Sequence, residues 1–489
     1  MKKKELKKEN NNKEYFIYIG MFILLFLVHF PLLTKNILTA DVLLNNNYYN
    51  GYSWEISLGR FGLFIMGLLK SYLSIPHFEL IISFVLIIGI TYLLINLFDI
   101  KDKVGKVFSI LIMSLSPIIS STLLFHYCSV PYFIAFFSSV LSLYLYYKTT
   151  NKYTKYLLPI ILMVLSLSMY QAYLSVIITV FFLYQIKLLI NKEIDYKESG
   201  KYLLGVLISI IIYFIGMKLS QIVFHIDMAS YSNANKIGID TILSIPSKFV
   251  SSYKFFFQMF YSNEFTKNSY LGNSIFYSFI FVLFIYLFFK KMNKSKLELK
   301  EKIITIVLLL LIPVFLHSVI FVISDAKTQL LMSASYLVLF IFMISFVDKK
   351  VSKIIFFTFL ALLCRCYFIQ DQATYLTLEN TYKTYDTVIH SAIDNHMNQL
   401  DKSFIVVGNM QNKSDISKMN YGYISDEGLF WDEYNLRKLG FERFCLQEYG
   451  LNVKFGSLED YNDADKSNHT SLVYEYKGNI VVNFNNYYK

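Results

Sequence analysis

Charge is scarce in this chain, and arginine is scarcer still. Only 17% of the 489 residues are charged, and just four of the 46 basic residues are arginines: Arg60, Arg365, Arg437 and Arg443. The four cysteines, Cys128, Cys364, Cys366 and Cys445, show neither the paired spacing of a zinc site nor the even framework of a disulfide-stapled domain. No glycine loop followed by lysine cradles a phosphate, no histidines stand at metal-ligand spacing, and no serine sits between the glycines of a hydrolase elbow. The stretches between apolar runs on the lysine-rich side are short. They leave no room for a cytosolic catalytic domain, which excludes a nucleotide-powered transporter and an enzyme using nucleotide sugars from the cytosol.

What the chain has is hydrocarbon: 55% of its residues are hydrophobic. A run of about 20 apolar residues matches the thickness of a bilayer core. Eleven candidate runs follow one another, near Tyr15–Leu33, Phe78–Phe98, Val107–Leu124, Tyr132–Tyr147, Tyr156–Met169, Ala172–Ile186, Tyr202–Phe224, Tyr270–Phe289, Ile303–Ile323, Leu330–Val347 and Ile354–Ile369. The expected fold is therefore an α-helical polytopic membrane bundle of about eleven spans. The basic start, MKKKELKKENNNKE, is read as a cytoplasmic tail (residues 1–14) before a retained first span, since no small-residue cleavage site follows it.

The lysines orient the bundle. With the N-terminus inside, the inner tail and loops carry 25 lysines and the outer loops only eight basic residues, Arg60 and Lys70 among them. That matches the positive-inside rule at every loop and gives the net charge of +11 a topological meaning rather than a nucleic-acid partner. Counting Ile56–Ser74 as another span would invert every later loop, so this segment is expected to be amphipathic or re-entrant at the outer interface. Long outer loops are expected at residues 34–77 and 225–269, the second containing a surface helix broken by Pro246. After residues 15–369, the polar tail 370–489, with the alternating stretches SFIVVGN and NIVVNF, reads as a small C-terminal α/β domain outside the membrane.

The first outer segment concentrates the chemistry. It sets Asp41, Glu55 and Arg60 beside Trp54 and several tyrosines. A carboxylate can take a proton from a hydroxyl, an arginine can pair with a phosphate, and aromatic faces can pack on sugar rings. The plain alternative is an interfacial aromatic belt with solvated charges. Arg365, near the outer end of the last run in LLCRCYF, suggests a second phosphate contact or a side chain snorkelling to the headgroups. His77, His126, Tyr170 with Gln171, and Asp325 with Lys327 face the same side, and His317 reads as a hydrogen-bonded core histidine.

Asp41, the stretch YYNGYSWEISLGRFG (Tyr48–Gly62) and SLSMYQAYLS (Ser166–Ser175) resemble the bacterial glucosyltransferase II membrane proteins, first associated with O-antigen glucosylation. The resemblance implies a GT-C-like fold in the bacterial cytoplasmic membrane. It also implies an inverting hexosyltransferase that moves a sugar, typically glucose, from a polyprenyl-phosphate donor to a cell-envelope glycan on the outer face. Carried onto this chain, Asp41 would be the general base with Glu55 as the fallback. Arg60 and Arg365 would hold the donor phosphate, and Trp54, Tyr170, Gln171 and His126 would line the substrate site. Asp41 is followed by Val42 where many such enzymes carry a second acid, which leaves a divalent cation open. Two other readings stand beside this one: a flippase or transporter of lipid-linked sugars, and a non-catalytic envelope-assembly protein.

Overall fold

The structure is a computed structural model that describes residues 2–45, 52–229, 243–261, 273–321, 329–347, 350–399, 401–409, 428–467 and 469–485. Asp325 and Lys327 lie outside the described residues, as does the Tyr48–Gly51 part of the YYNGYSWEISLGRFG motif.

Where described, each of the eleven apolar runs is largely helical. Seven helices are long and apolar enough to cross a membrane, and three shorter apolar ones, Tyr15–Val28, Tyr153–Met169 and Leu330–Ile344, accompany them. This is a helical membrane protein. The remaining run is interrupted at Leu311 between Leu299–Leu310 and Ile312–Leu316, where Pro313 lies in the first turn of the second piece.

The elements that build the membrane part are α1 (Lys2–Val28), α2 (Phe30–Thr34), α3 (Ala40–Asn45), α4 (Tyr52–Ser57), α5 (Phe61–Leu69) and α6 (Pro76–Leu97). They continue as α7 (Lys103–Leu115), α8 (Pro117–Leu124), α9 (His126–Lys148), α10 (Leu158–Met169), α11 (Leu174–Asn191) and α12 (Tyr196–Phe224). Local chemistry sets the breaks. Asp102 caps α7 by accepting from the Gly105 amide, and Ser116 caps α8 ahead of Pro117, whose missing N–H costs nothing at a first helical position. Between membrane helices, apolar burial gives no preference over lipid, so small polar contacts specify the packing. Ser83 of α6 meets Ser129 of α9 at 3.1 Å, and Ser139 of α9 meets Ser166 of α10 at 2.7 Å.

Within Ile56–Ser74 the longest helix is the nine-residue α5; at 1.5 Å per residue that is about 14 Å, too short for a core of about 30 Å. The helix expected around Pro246 is interrupted by a turn at Ser244 and runs on as α13 (Ile245–Tyr261), with the proline in its first turn. Its face bearing Met259 and Phe260 is buried, with Phe260 edge-on to Tyr277 at 4.8 Å.

Four further helices follow, α14 (Asn273–Lys294), α15 (Leu299–Leu310), α16 (Ile312–Leu316) and α17 (Ser335–Ile344). Then comes the 45-residue α18 (Lys350–Asp394), unbroken across residue 370 where the sequence suggested a boundary. Beyond it, β1 (Phe404–Val407), β2 (Val473–Tyr476) and β3 (Asn479–Asn483) form a sheet in the order β1-β3-β2, with β1 and β3 on the two stretches read as strands. β1 and β3 are parallel and both fully buried, so helices must cover both faces. These are α18, α19 (Tyr434–Tyr449) and α20 (Leu458–Lys466). α19 also packs on α3, with Gly440 set against Leu43 and Leu44.

Candidate active site

The site begins as a backbone problem. Between α4 and α5 the chain reverses at Gly59, whose φ of +80° is a conformation that only glycine adopts freely. A Cβ there would also lie 2.7 Å from Met217 Sδ and 2.8 Å from the Tyr213 hydroxyl. The carbonyls exposed by this reversal are claimed from other helices. Gln171 Nε2 donates to the Leu58 carbonyl at 2.6 Å and to the Tyr213 hydroxyl at 2.8 Å, and Tyr213 donates to the Gly59 carbonyl at 3.2 Å.

The turn so fixed aims Arg60. Its guanidinium meets the Glu55 carboxylate at 3.4 Å and lies 4.8 Å over the ring of Tyr170, which stacks on Tyr132 at 4.5 Å. Tyr170 reaches this place because α10 stops there. The residue is extended (φ −157°, ψ 108°) before a short 3-10 turn, Gln171–Tyr173, leads into α11. Gly62 completes the approach: a Cβ on it would meet Ser168 Oγ at 2.5 Å, so α5 packs directly on the end of α10.

Asp41, in the first turn of α3, is within electrostatic reach of both Glu55 and Arg60. Its carboxyl is pushed up to about 6, first by burial and then by the Glu55 charge, with Arg60 pulling the other way. The burial comes from α9 and α19, which pack on α3 and remove much of the water around it. Glu55 is the more deeply buried of the two carboxylates by exposed surface. These are the two groups that could hold a cation here. Among the described residues, no cluster of three or more histidine, cysteine, aspartate or glutamate side chains could hold a metal ion.

Of the residues singled out in the sequence, Asp41, Glu55, Arg60 and Tyr170 come together. Gln171 also joins the site, but through backbone anchoring. Trp54 precedes Glu55 on α4 with its side chain half-exposed at the rim. His126 opens α9, buried, in the field of Lys70 and His77. Lys70 itself pairs with Glu79 at 2.7 Å and donates to the Tyr127 carbonyl at 2.8 Å. Arg365 stands apart, on an exposed face of α18 between buried Cys364 and Cys366, and among the described residues no contact joins it to the Asp41–Arg60 group. His317 is the core histidine expected, bonded through Nδ1 to the Pro313 carbonyl and through Nε2 to the Tyr336 hydroxyl.

Sequence reasoning missed Tyr213, Tyr132 and Glu79. For Tyr213 the available signal was a tyrosine interrupting an otherwise aliphatic run, IIIYFIG.

The fold is that of a helical membrane protein in which two carboxylates, an arginine and stacked tyrosines gather at helix ends. The family comparison adds an activity. A family model described as glucosyl transferase GtrII matches residues 30–346, well over half of the chain, and the chain belongs to that family. No curated protein and no solved structure matches it.

Proposed function

We propose that this glucosyltransferase moves glucose from a polyprenyl-phosphate donor to a cell-envelope glycan at the face of the bacterial cytoplasmic membrane opposite its lysine-rich loops, inverting the anomeric centre. The observation that carries the reading is the arrangement of Arg60. Its guanidinium is held by Glu55 and Tyr170, with Asp41 in the same field, so a fixed cation and a base of raised affinity for protons stand together.

In the reaction the acceptor hydroxyl oxygen forms a bond to the anomeric carbon while the bond from that carbon to the phosphate oxygen breaks. The electron pair leaves on the lipid phosphate, where Arg60 meets the growing charge, and the hydroxyl proton goes to Asp41. A cation already positioned by Glu55 and Tyr170 favours the transition state because it need not reorganise as the charge develops. Phosphate is a good leaving group, so that side requires no acid. Glu55 acts as the anchor of Arg60 and as the charge that raises the proton affinity of Asp41.

The test is direct. Purified protein given polyprenyl-phosphate glucose and extracted envelope glycan should release polyprenyl phosphate with label appearing in the glycan. Donor crossing a vesicle bilayer without being consumed would favour a transporter instead.

A further inference from the structure

At their lysine-rich ends α10 and α12 leave a cleft open on one side. Its floor is Ile160, Met163, Gly205 and Ile208, and its polar end is Tyr156 and Lys201. The cavity, of about 190 Å³, is several times the space a water molecule takes, yet its wall is almost wholly apolar. Water in such a space has no partners, so the natural occupant is hydrocarbon. Gly205 keeps the cleft open: a Cβ built there has Ile160 at 3.6 Å and Met163 at 3.9 Å, so a longer side chain would fill it. The surrounding face belongs to the bilayer, since α12 is apolar yet mostly unburied and Leu204 and Leu207 are both more than half exposed.

The polar end is built, not incidental. A wide π-helical turn, Tyr153–Leu157, brings Lys155 and Tyr156 toward the start of α12. The Glu198 carboxylate there accepts from Lys155 at 2.7 Å, Lys201 at 2.5 Å, the Tyr146 hydroxyl at 3.2 Å and the Tyr156 hydroxyl at 3.3 Å. Two ammonium groups share one carboxylate, which leaves an excess positive charge beside an apolar channel. Lys155 also lies 5.3 Å over the Tyr156 ring and 5.5 Å over that of Tyr146, so its position is fixed before any ligand arrives.

We propose that this cleft binds one anionic phospholipid of the surrounding leaflet, its acyl chain on Gly205 between Ile160 and Met163 and its phosphate at Lys155 and Lys201. The site is separate from the candidate active site. Lys201 and Tyr213 are twelve residues apart on α12, about 18 Å of helix. A lipid seated here wedges α10 and α12 at one end while the same two helices present Tyr170 and Tyr213 at the other.

The experiment uses the full chain, purified in a neutral maltoside detergent and stripped of lipid. Its thermal unfolding midpoint is followed as phosphatidylglycerol or phosphatidylcholine with matched chains is added. Phosphatidylglycerol should raise the midpoint saturably and phosphatidylcholine should not. Lys201→Ala should weaken the apparent affinity about fivefold, the share of one lysine near an anionic lipid surface. Gly205→Leu should abolish the response, and if that variant does not fold, Ile208→Trp fills the same cleft from its open edge. Equal responses to the two lipids, or an undiminished phosphatidylglycerol response in both Lys201→Ala and a cleft-filling variant, would overturn the site and leave only a non-selective lipid shell. A comparable response to inorganic phosphate alone would overturn the acyl-chain half of the proposal.

Discussion

The guanidinium of Arg60 lies 4.8 Å over the ring of Tyr170, and the same arginine is held at its edge by Glu55 at 3.4 Å. One ring and one carboxylate thus fix a cation that either alone would leave to rotate. Lysine cannot reproduce this, because it lacks the planar fork and stacks poorly. Arg60→Lys is expected to raise the KM for the lipid-linked donor and to lower kcat/KM about tenfold or more, corresponding to loss of a charge-assisted bidentate contact. Arg365→Ala, at an exposed position on α18, should change kcat/KM far less in the same donor-release assay. Equal losses would put both arginines at the donor phosphate.

Asp41→Asn keeps the shape of the side chain and removes the basic oxygen. Turnover should fall by roughly 100-fold or more with donor binding retained, as for removal of a general base. Binding is read by donor-dependent thermal shift and turnover by polyprenyl phosphate release. Wild-type turnover in Asp41→Asn together with a loss in Glu55→Gln would transfer the role to Glu55.

The pH profile carries a separate signature. Asp41 works only as the carboxylate, and burial with the Glu55 charge pushes it up to about 6, so kcat/KM should be retained above that pH and lost as pH falls through it. Glu55→Gln removes one of the raising influences and should move the acid limb to lower pH. Arg60→Gln removes the lowering one and should move it up. An acid limb that stays in place in both variants would detach it from Asp41.

Gly59→Ala tests the turn. The substitution forces an L side chain into φ +80° and drives its Cβ to within 2.7 Å of Met217 Sδ. The left-handed strain alone costs about 1–2 kcal/mol, and displacement of Tyr213 adds to it. A lower unfolding midpoint and a loss of turnover should appear together, while Gly200→Ala, where a Cβ meets nothing within 4 Å, should show neither.

Sidedness follows from the lysines. A reporter active only outside the cytoplasm should be active when inserted after Asn45 or fused after Lys489, and silent when inserted after Lys294. Activity at Lys294 would place the Asp41–Arg60 group on the cytoplasmic side.

Helix positions were legible in the sequence because a bilayer demands long apolar runs, and runs survive without knowledge of neighbours. The same holds for β1 and β3, whose apolar stretches between polar turns announce themselves locally. Asp41, Glu55 and Arg60 were legible as a set because they lie close together in one loop. Tyr213 was not, since what it does depends on the distant Gly59 carbonyl being turned toward it by a glycine in another part of the chain. Gln171 was legible as part of an aromatic turn, but not the Leu58 carbonyl and Tyr213 hydroxyl to which its amide donates, since both come from distant parts of the chain. The raised proton affinity of Asp41 was hidden for a similar reason, because burial by α9 and α19 is a property of the assembly and not of the loop.

The unbroken helix α18 acts as a ruler. Its 45 residues measure about 68 Å at 1.5 Å per residue, more than twice a hydrocarbon core of about 30 Å. The sheet and α19 ride on its far part, where Tyr382 donates to Glu448 at 2.6 Å and Glu379 takes Lys35 at 3.1 Å. The height at which α19 meets α3 is therefore set by a count of residues in one helix rather than by a hinge. Inserting a single residue near Phe368 would rotate everything above it by about 100°, swinging α19 off the segment that carries Asp41 while leaving every membrane helix before it where it was.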